Sequence, residues 1–177
     1  GRGWLLQFNA VLGASGAPGG FGWDNTASIV LASMVPSYNG PSSYLLMVKY
    51  NNYLGRGTGD GVNKIAVIDP GDSQTDAISG LPIMREVLSI AGPTFEAGST
   101  VAVKEWCINT AAVDPATKSI LANSEDGYLY RWSLTTNTFT QRIQLTSGFA
   151  ESYTPTAIGA DGAVYAVNNA VLFSIGR

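Results

Sequence analysis

Short runs of strand-forming residues recur along this chain in a fixed order, and this repetition constrains the fold more than any other feature. Runs rich in small residues are followed by apolar runs such as YLLMVKY and AVYAVN. Most are bounded by Gly, Asn or Pro, which interrupt strands and favour turns. The runs rich in small residues lie at 26–30, 109–113 and 154–158. The apolar runs lie at 44–51, 119–123 and 163–168. The pattern predicts repeated antiparallel β-units.

A third and a fourth kind of run complete each unit. The third kind lies at 3–9, 63–69, 127–133 and 170–176, and the fourth at 84–90 and 139–145. The fourth runs alternate apolar and polar residues, which predicts strands with one exposed face. Four-stranded units of about 40 to 50 residues are typical of β-propellers. We therefore predict an all-β fold, a β-propeller of four-stranded antiparallel blades, with these residues in its core: Ile68, Val113, Ile120, Leu129, Trp132, Ile143, Val164 and Leu172.

The order of the runs predicts a single domain with an incomplete propeller. Residues 26–91 and 105–145 each form a whole blade, and partial blades lie at both ends of residues 1–177. A closed ring needs about four blades, and an open strand edge is a template for pairing. We expect another protein chain, or another copy of this one, to complete the propeller. The alternative is a closed four-bladed ring in which the N-terminal strand joins the C-terminal blade.

The composition excludes several classes of function. The chain has no His, so a His-based triad, a His-zinc site or a His-ligated haem cannot be built from it. Its one cysteine, Cys107, excludes an internal disulfide, and the apolar neighbours of Cys107 favour a buried structural role over a nucleophile. The net charge of −3 argues against a nucleic-acid partner. No apolar run is long enough to span a membrane.

Loops at one end of the predicted strands carry the candidate ligand-binding residues. Each loop that leads into a first strand has an acid and an aromatic residue, and Asn recurs where second strands end. In a propeller both kinds of loop gather around the central opening. The candidates are Trp23, Asp24, Glu105, Trp106, Glu151 and Tyr153, with Asn51, Asn123 and Asn168.

These residues allow a functional and a structural interpretation. Carboxylate and amide oxygens suit Ca²⁺, and aromatics beside Asn and Asp suit a carbohydrate or a peptide. Paired carboxylates for glycosidase chemistry would come from Asp24, Glu105 and Glu151. In the structural interpretation the aromatics wedge neighbouring blades together, while Asn and Asp cap turns.

Two segments, EDGYLYRWSL and DGAVYAVNNAVLFSIG, resemble the PQQ-like, quinoprotein-type propeller repeat. The resemblance covers most of residues 105–177, although WD40-like propellers also use such turns. It implies an oxidoreductase in which a Trp and a vicinal disulfide enclose the quinone, beside a calcium-linked Asp. Trp106 matches the Trp, but Cys107 alone cannot form the disulfide, so PQQ is not expected. A non-catalytic scaffold of outer-membrane assembly shares the repeat and binds no quinone.

The sequence therefore favours a non-enzymatic recognition and interaction module, secreted or periplasmic. The lack of a catalytic His, the polar surface of low charge and the incomplete ring agree with it. A quinoprotein-type oxidoreductase, or another propeller enzyme with its site in the central opening, is the alternative. No catalytic residue is assigned, and no cofactor is expected other than the Ca²⁺ considered above.

Overall fold

The computed structural model describes residues 4–20, 26–107, 110–147, 150–152 and 155–176. These residues form three antiparallel sheets of three or four strands and a small two-stranded ribbon. The all-β prediction is confirmed: within the described ranges the one helical element is a 3-10 turn at Ala32–Met34. No helix among these residues has the length and apolar character needed to cross a membrane.

The strands follow one another as meanders in chain order. The ribbon is β1 (Trp4–Leu5) with β2 (Gly19–Gly20). The first sheet is β3 (Ala27–Leu31), β4 (Tyr44–Tyr50), β5 (Lys64–Thr75) and β6 (Pro82–Ala91). The second sheet is β7 (Ala112–Asp114), β8 (Ser119–Asn123), β9 (Tyr128–Ser133) and β10 (Thr138–Gln144). The third sheet is β11 (Ala157–Ile158), β12 (Val164–Asn168) and β13 (Val171–Ile175).

Local turn chemistry explains where the strands of the second sheet reverse. Asn137 has a φ of 53°, a left-handed conformation that Asn tolerates well, and it closes the turn between β9 and β10. Gly127 directly precedes β9 and has a φ of 84°, and a Cβ there would lie 2.4 Å from the Thr146 carbonyl oxygen. A side chain at position 127 would therefore be excluded by both conformation and space.

The second sheet packs against a neighbouring sheet on each face over β7 to β9, whereas β10 is largely exposed. Side chains alternate between the two faces along each strand. One face carries Ile120 and Trp132, which pack against Met47 and Val67 of the first sheet. The opposite face carries Leu121 and Leu129, which pack against Val164 and Ala166 of the third sheet. We call these the first and second inter-sheet cores. The first strands of successive sheets are neighbours, since β3 contacts β7 and β7 contacts β11.

The predicted core is only partly correct. Ile68, Ile120, Leu129, Trp132 and Val164 are buried, and Val113 is partly buried against the first inter-sheet core. Ile143 is 43% exposed and Leu172 is 66% exposed, so both predictions of burial are wrong. Ile143 lies on β10 beyond the last described strand of the third sheet. Leu172 lies on the face of the third sheet that points away from the second.

The N-terminal segment differs from the predicted third strand over 3–9. Among the described residues of that segment, 4–9, the strand is Trp4–Leu5, and Phe8 forms an isolated bridge with Ala14. The ribbon lies beside the first sheet, where the Met84 N–H donates to the Pro18 carbonyl at 2.9 Å. Leu5 packs on the far face of that sheet, the face turned away from the second sheet. Among the described residues β1 pairs with β2 and β13 pairs with β12, so the two terminal strands do not close a ring.

Candidate functional site

The loops that lead into first strands and the loops between second and third strands lie together at one end of the second and third sheets. In the second sheet, the Glu125 N–H donates to the Glu105 carbonyl at 3.1 Å, and the Glu105 N–H donates to the Glu125 carboxylate at 3.2 Å. In the third sheet, Asn169 and Glu151 form the same reciprocal pair at 2.8 and 2.9 Å. This repeated pair fixes each entry loop against the loop between the second and third strands. We call this region the loop end.

Cys107 lies at the centre of the acidic groups of the loop end. Its thiol is buried and donates to Glu105 Oε1 at 2.7 Å, and Glu151 Oε2 lies 3.7 Å from the sulfur. Glu125 is 4% exposed and accepts a hydrogen bond from Lys104 Nζ at 3.4 Å. The structure thus brings Glu105 and Glu151, two of the predicted site residues, to the same thiol.

Burial sets the protonation chemistry of this cluster. It raises the pKa of the Cys107 thiol, and the hydrogen bond to Glu105 and the surrounding carboxylate charges raise it further. The thiol is therefore protonated and unreactive, which agrees with the structural role predicted for Cys107. Burial also raises the pKa of Glu125, because the Lys104 ammonium and the Glu105 N–H only partly replace the lost water. The pKa of Lys104 is raised by its hydrogen bond to Glu96 and by the charges of Glu125 and Glu96.

Three side chains of the cluster have the spacing of metal ligands. Ligand atoms of Glu105, Cys107 and Glu125 lie within 4.8 Å of one another. The carboxylate oxygens are of the kind that Ca²⁺ prefers, whereas a protonated thiol is not a calcium ligand. The oxygen atoms of Glu105 and Glu125 are accordingly the groups of this cluster that could hold a hard cation.

The three predicted asparagines are buried and hold neighbouring sheets together. Asn51 follows β4, accepts a hydrogen bond from the Trp106 N–H at 3.0 Å and donates to the Trp106 carbonyl at 3.3 Å. Asn123 ends β8, donates to the Val167 carbonyl at 3.1 Å and accepts from Asn168 at 3.2 Å. Their exposed fractions are between 0% and 1%. These amides therefore serve as links between successive sheets.

Trp106 faces the protein interior. Its side chain is 0% exposed and belongs to the first inter-sheet core, where its ring centre lies 5.8 Å from those of Tyr130 and Phe139. The structure thus places it as a wedge between two sheets. The fully buried indole has no free face on which a quinone or a sugar ring could stack.

Three predicted site residues, Trp23, Asp24 and Tyr153, lie outside the described residues. Two members of the acidic cluster, Cys107 and Glu125, were not among the predicted ligand-binding residues. Both had a signal in the sequence. Cys107 follows the Glu-Trp pair of an entry loop, and Glu125 follows the recurring Asn in the next loop.

Comparison with protein families and with curated proteins identified no relative of this chain. No family model matches the chain, and no curated protein matches it either.

Proposed function

We propose that this chain is a segment of a β-propeller and acts as a non-enzymatic recognition and interaction module. The partner is a further sheet, supplied by another protein or by another copy of the chain. The adjacency of β3, β7 and β11 supports the propeller arrangement, since the first strands of successive blades are neighbours around a propeller axis. The PQQ-like resemblance over most of residues 105–177 and the polar surface of low charge support a secreted or periplasmic setting.

The observation that carries the proposal is the apolar character of both far faces. On the first sheet, whose far face is covered in part by Leu5 of the ribbon, Ile29 is 68% exposed and Leu31 is 50% exposed. On the far face of the third sheet, Leu172 is 66% exposed. The second sheet, which has a neighbour on each side, buries Ile120 and Trp132 on one face and Leu129 on the other. Apolar far faces are therefore expected to bury area against further sheets.

Light scattering coupled to size-exclusion chromatography tests this proposal. We expect the mass of the purified chain to rise above that of one chain as its concentration increases. Leu172→Lys should weaken this association, because it places a charge in the contact. Leu81→Lys is the matched control, since Leu81 is 55% exposed but lies in the connection from β5 to β6 and not on the third sheet. A monomer at every concentration would refute assembly between copies of this chain, and equal effects of the two substitutions would refute the far face of the third sheet as the contact.

A further inference from the structure

A groove lies between the second and third sheets, on the side of β10 and β13, and it has an apolar wall and a polar wall of Arg131, Gln141 and Arg142. Its volume is about 370 Å³. The apolar wall contains Leu129 and Ile143 from the second sheet and Val164 and Ile175 from the third. Leu129 and Val164 also belong to the second inter-sheet core, and Ile175 packs against it. The groove is thus the outward continuation of an interface that the protein already makes.

Within the part of the chain that the structure describes, the strand beside this groove, β13, has one free edge. Among the described residues β13 pairs only with β12. The equivalent third strands, β5 and β9, have fourth strands β6 and β10 on that side. Unpaired N–H and C=O groups along a strand edge are a template for another strand.

Residues that lie opposite one another on paired strands form rows across each sheet. The row through Ile175 is shorter, among the described residues, than the row through Trp132. In the second sheet, Trp132 lies opposite Ile120 on one side and Phe139 on the other. In the third sheet, Ile175 lies opposite Val164 and has no described residue on its other side. Phe139 packs against the first inter-sheet core. A residue opposite Ile175 would therefore face the groove, where a large apolar side chain has room.

We propose that the free edge of β13 accepts one extended strand of another protein, which pairs antiparallel to β13. The strand places a large apolar side chain opposite Ile175, as Phe139 is placed opposite Trp132. Main-chain hydrogen bonds along β13 provide affinity, and the groove selects the anchor side chain. This inference rests on the proposed function and names the location and chemistry of one partner contact.

A peptide copied from the protein itself tests this proposal. The probe is a labelled peptide with the sequence of residues 138–145, TFTQRIQL, because β10 occupies the equivalent position in the second sheet. We expect saturable binding to the full chain by fluorescence anisotropy, with slower hydrogen exchange at the β13 amides. A peptide with Ala in place of the Phe should bind at least about tenfold more weakly. A peptide with N-methylated amides should also lose affinity, because it cannot pair along the edge.

A matched pair of protein variants locates the site. Ile143→Lys should abolish peptide binding, since it places an ammonium group in the groove. Ile78→Lys should leave binding unchanged, because Ile78 has the same exposed fraction, 43%, and lies outside the groove. Both positions are exposed, so both variants are expected to fold, which circular dichroism will check.

The outcomes separate this inference from the proposed function. Absence of saturable binding, equal affinity for the Phe and Ala peptides, or full binding to the Ile143→Lys variant would overturn the strand-acceptor inference. Dimers that Ile143→Lys dissociates, without peptide binding, would overturn it in favour of pairing between two copies of β13. Self-association that depends on Leu172 would survive either result and leave the proposed function standing.

Discussion

Single polar side chains at the loop end mainly join one sheet to the next. Asn51 satisfies both the N–H and the C=O of Trp106, and Asn123 joins Asn168 and the Val167 carbonyl. A buried backbone group without a partner is costly, so these amides stabilise each junction. The recurrence of Asn at the ends of second strands thus has a physical cause that requires no ligand.

Removal of the Asn51 amide should destabilise the protein. Asn51→Ala leaves two buried groups of Trp106 without their partner, and we expect a loss of about 1 to 3 kcal/mol in the free energy of unfolding. Urea denaturation followed by Trp fluorescence measures the change. Asn39→Ala is the control, because Asn39 is exposed. Equal stability of the two variants would show that the amide is dispensable.

The raised pKa of Glu125 predicts a pH dependence with a definite sign. The folded state binds this proton more tightly than the unfolded state, in which Glu has its ordinary pKa of about 4.3. The stabilisation by protonated Glu125 is therefore complete below that value and is lost as pH rises through the folded-state pKa. In Glu125→Gln the side chain does not titrate, so this variant should gain stability relative to the wild type over the same rise in pH.

Unfolding free energies of both proteins, measured across this range of pH, check the prediction. The difference between them reports Glu125, because Lys104 and Cys107, the groups whose pKa the Glu125 charge raises, titrate only at more alkaline pH. Glu86→Gln, which removes a carboxylate outside the cluster, serves as the control. Parallel curves for the wild type and Glu125→Gln would contradict the prediction.

At the scale of the elements, the cross-strand rows determine how the sheets pack. The row Val113, Ile120, Trp132 and Phe139 crosses the whole second sheet and faces the first. Residues directly opposite in a pair share one face of the sheet. Such a row is a continuous apolar stripe, and a large residue at its centre determines the spacing to the neighbouring sheet.

Trp132 is the largest member of that row, and its truncation should be costly. The side chain is 0% exposed, and its indole N–H donates to Asn137 at 2.9 Å. Trp132→Ala is expected to lower the unfolding free energy by about 3 to 5 kcal/mol, and Trp132→Phe by less. Chemical denaturation gives both values. Phe95→Ala, at a side chain that is 54% exposed, is the control, and a similar loss there would remove the special role of the row.

At the scale of the whole molecule, burial is uneven along the stack of sheets. The second sheet has neighbours on both faces, whereas the first and third sheets each leave apolar residues of a far face exposed. Local opening requires less energy where fewer apolar contacts are lost. The two ends of the stack should therefore open more readily than its middle.

Hydrogen exchange should report this gradient. We expect amides of β8 and β9 to be protected at least about tenfold more than those of β13 and of the ribbon β1–β2. Exchange of the monomeric chain, read by mass spectrometry, measures the difference. Protection of β13 equal to that of β9 in the monomer would contradict the prediction.

The sequence by itself determined the positions of most strands, because turn residues and strand propensity act locally. The runs at 119–123 and 127–133, for example, match β8 (Ser119–Asn123) and β9 (Tyr128–Ser133). The strand β1 at Trp4–Leu5 is shorter than the strand predicted over 3–9 and pairs with β2. The similarity of residues 3–9 to the other third runs did not specify which strand they pair with.

Only the tertiary structure decided which faces are buried and what the loop-end residues do. Ile143 and Leu172 have the alternation of core residues but stay exposed, because burial depends on a neighbouring sheet and not on the strand alone. The sequence left both a ligand-binding and a structural role open for Trp106 and Asn51, whereas in space each has an intramolecular partner: an aromatic core for Trp106, and the backbone of Trp106 for Asn51. Residues 55 positions apart meet in that hydrogen bond, a proximity that local pattern does not encode.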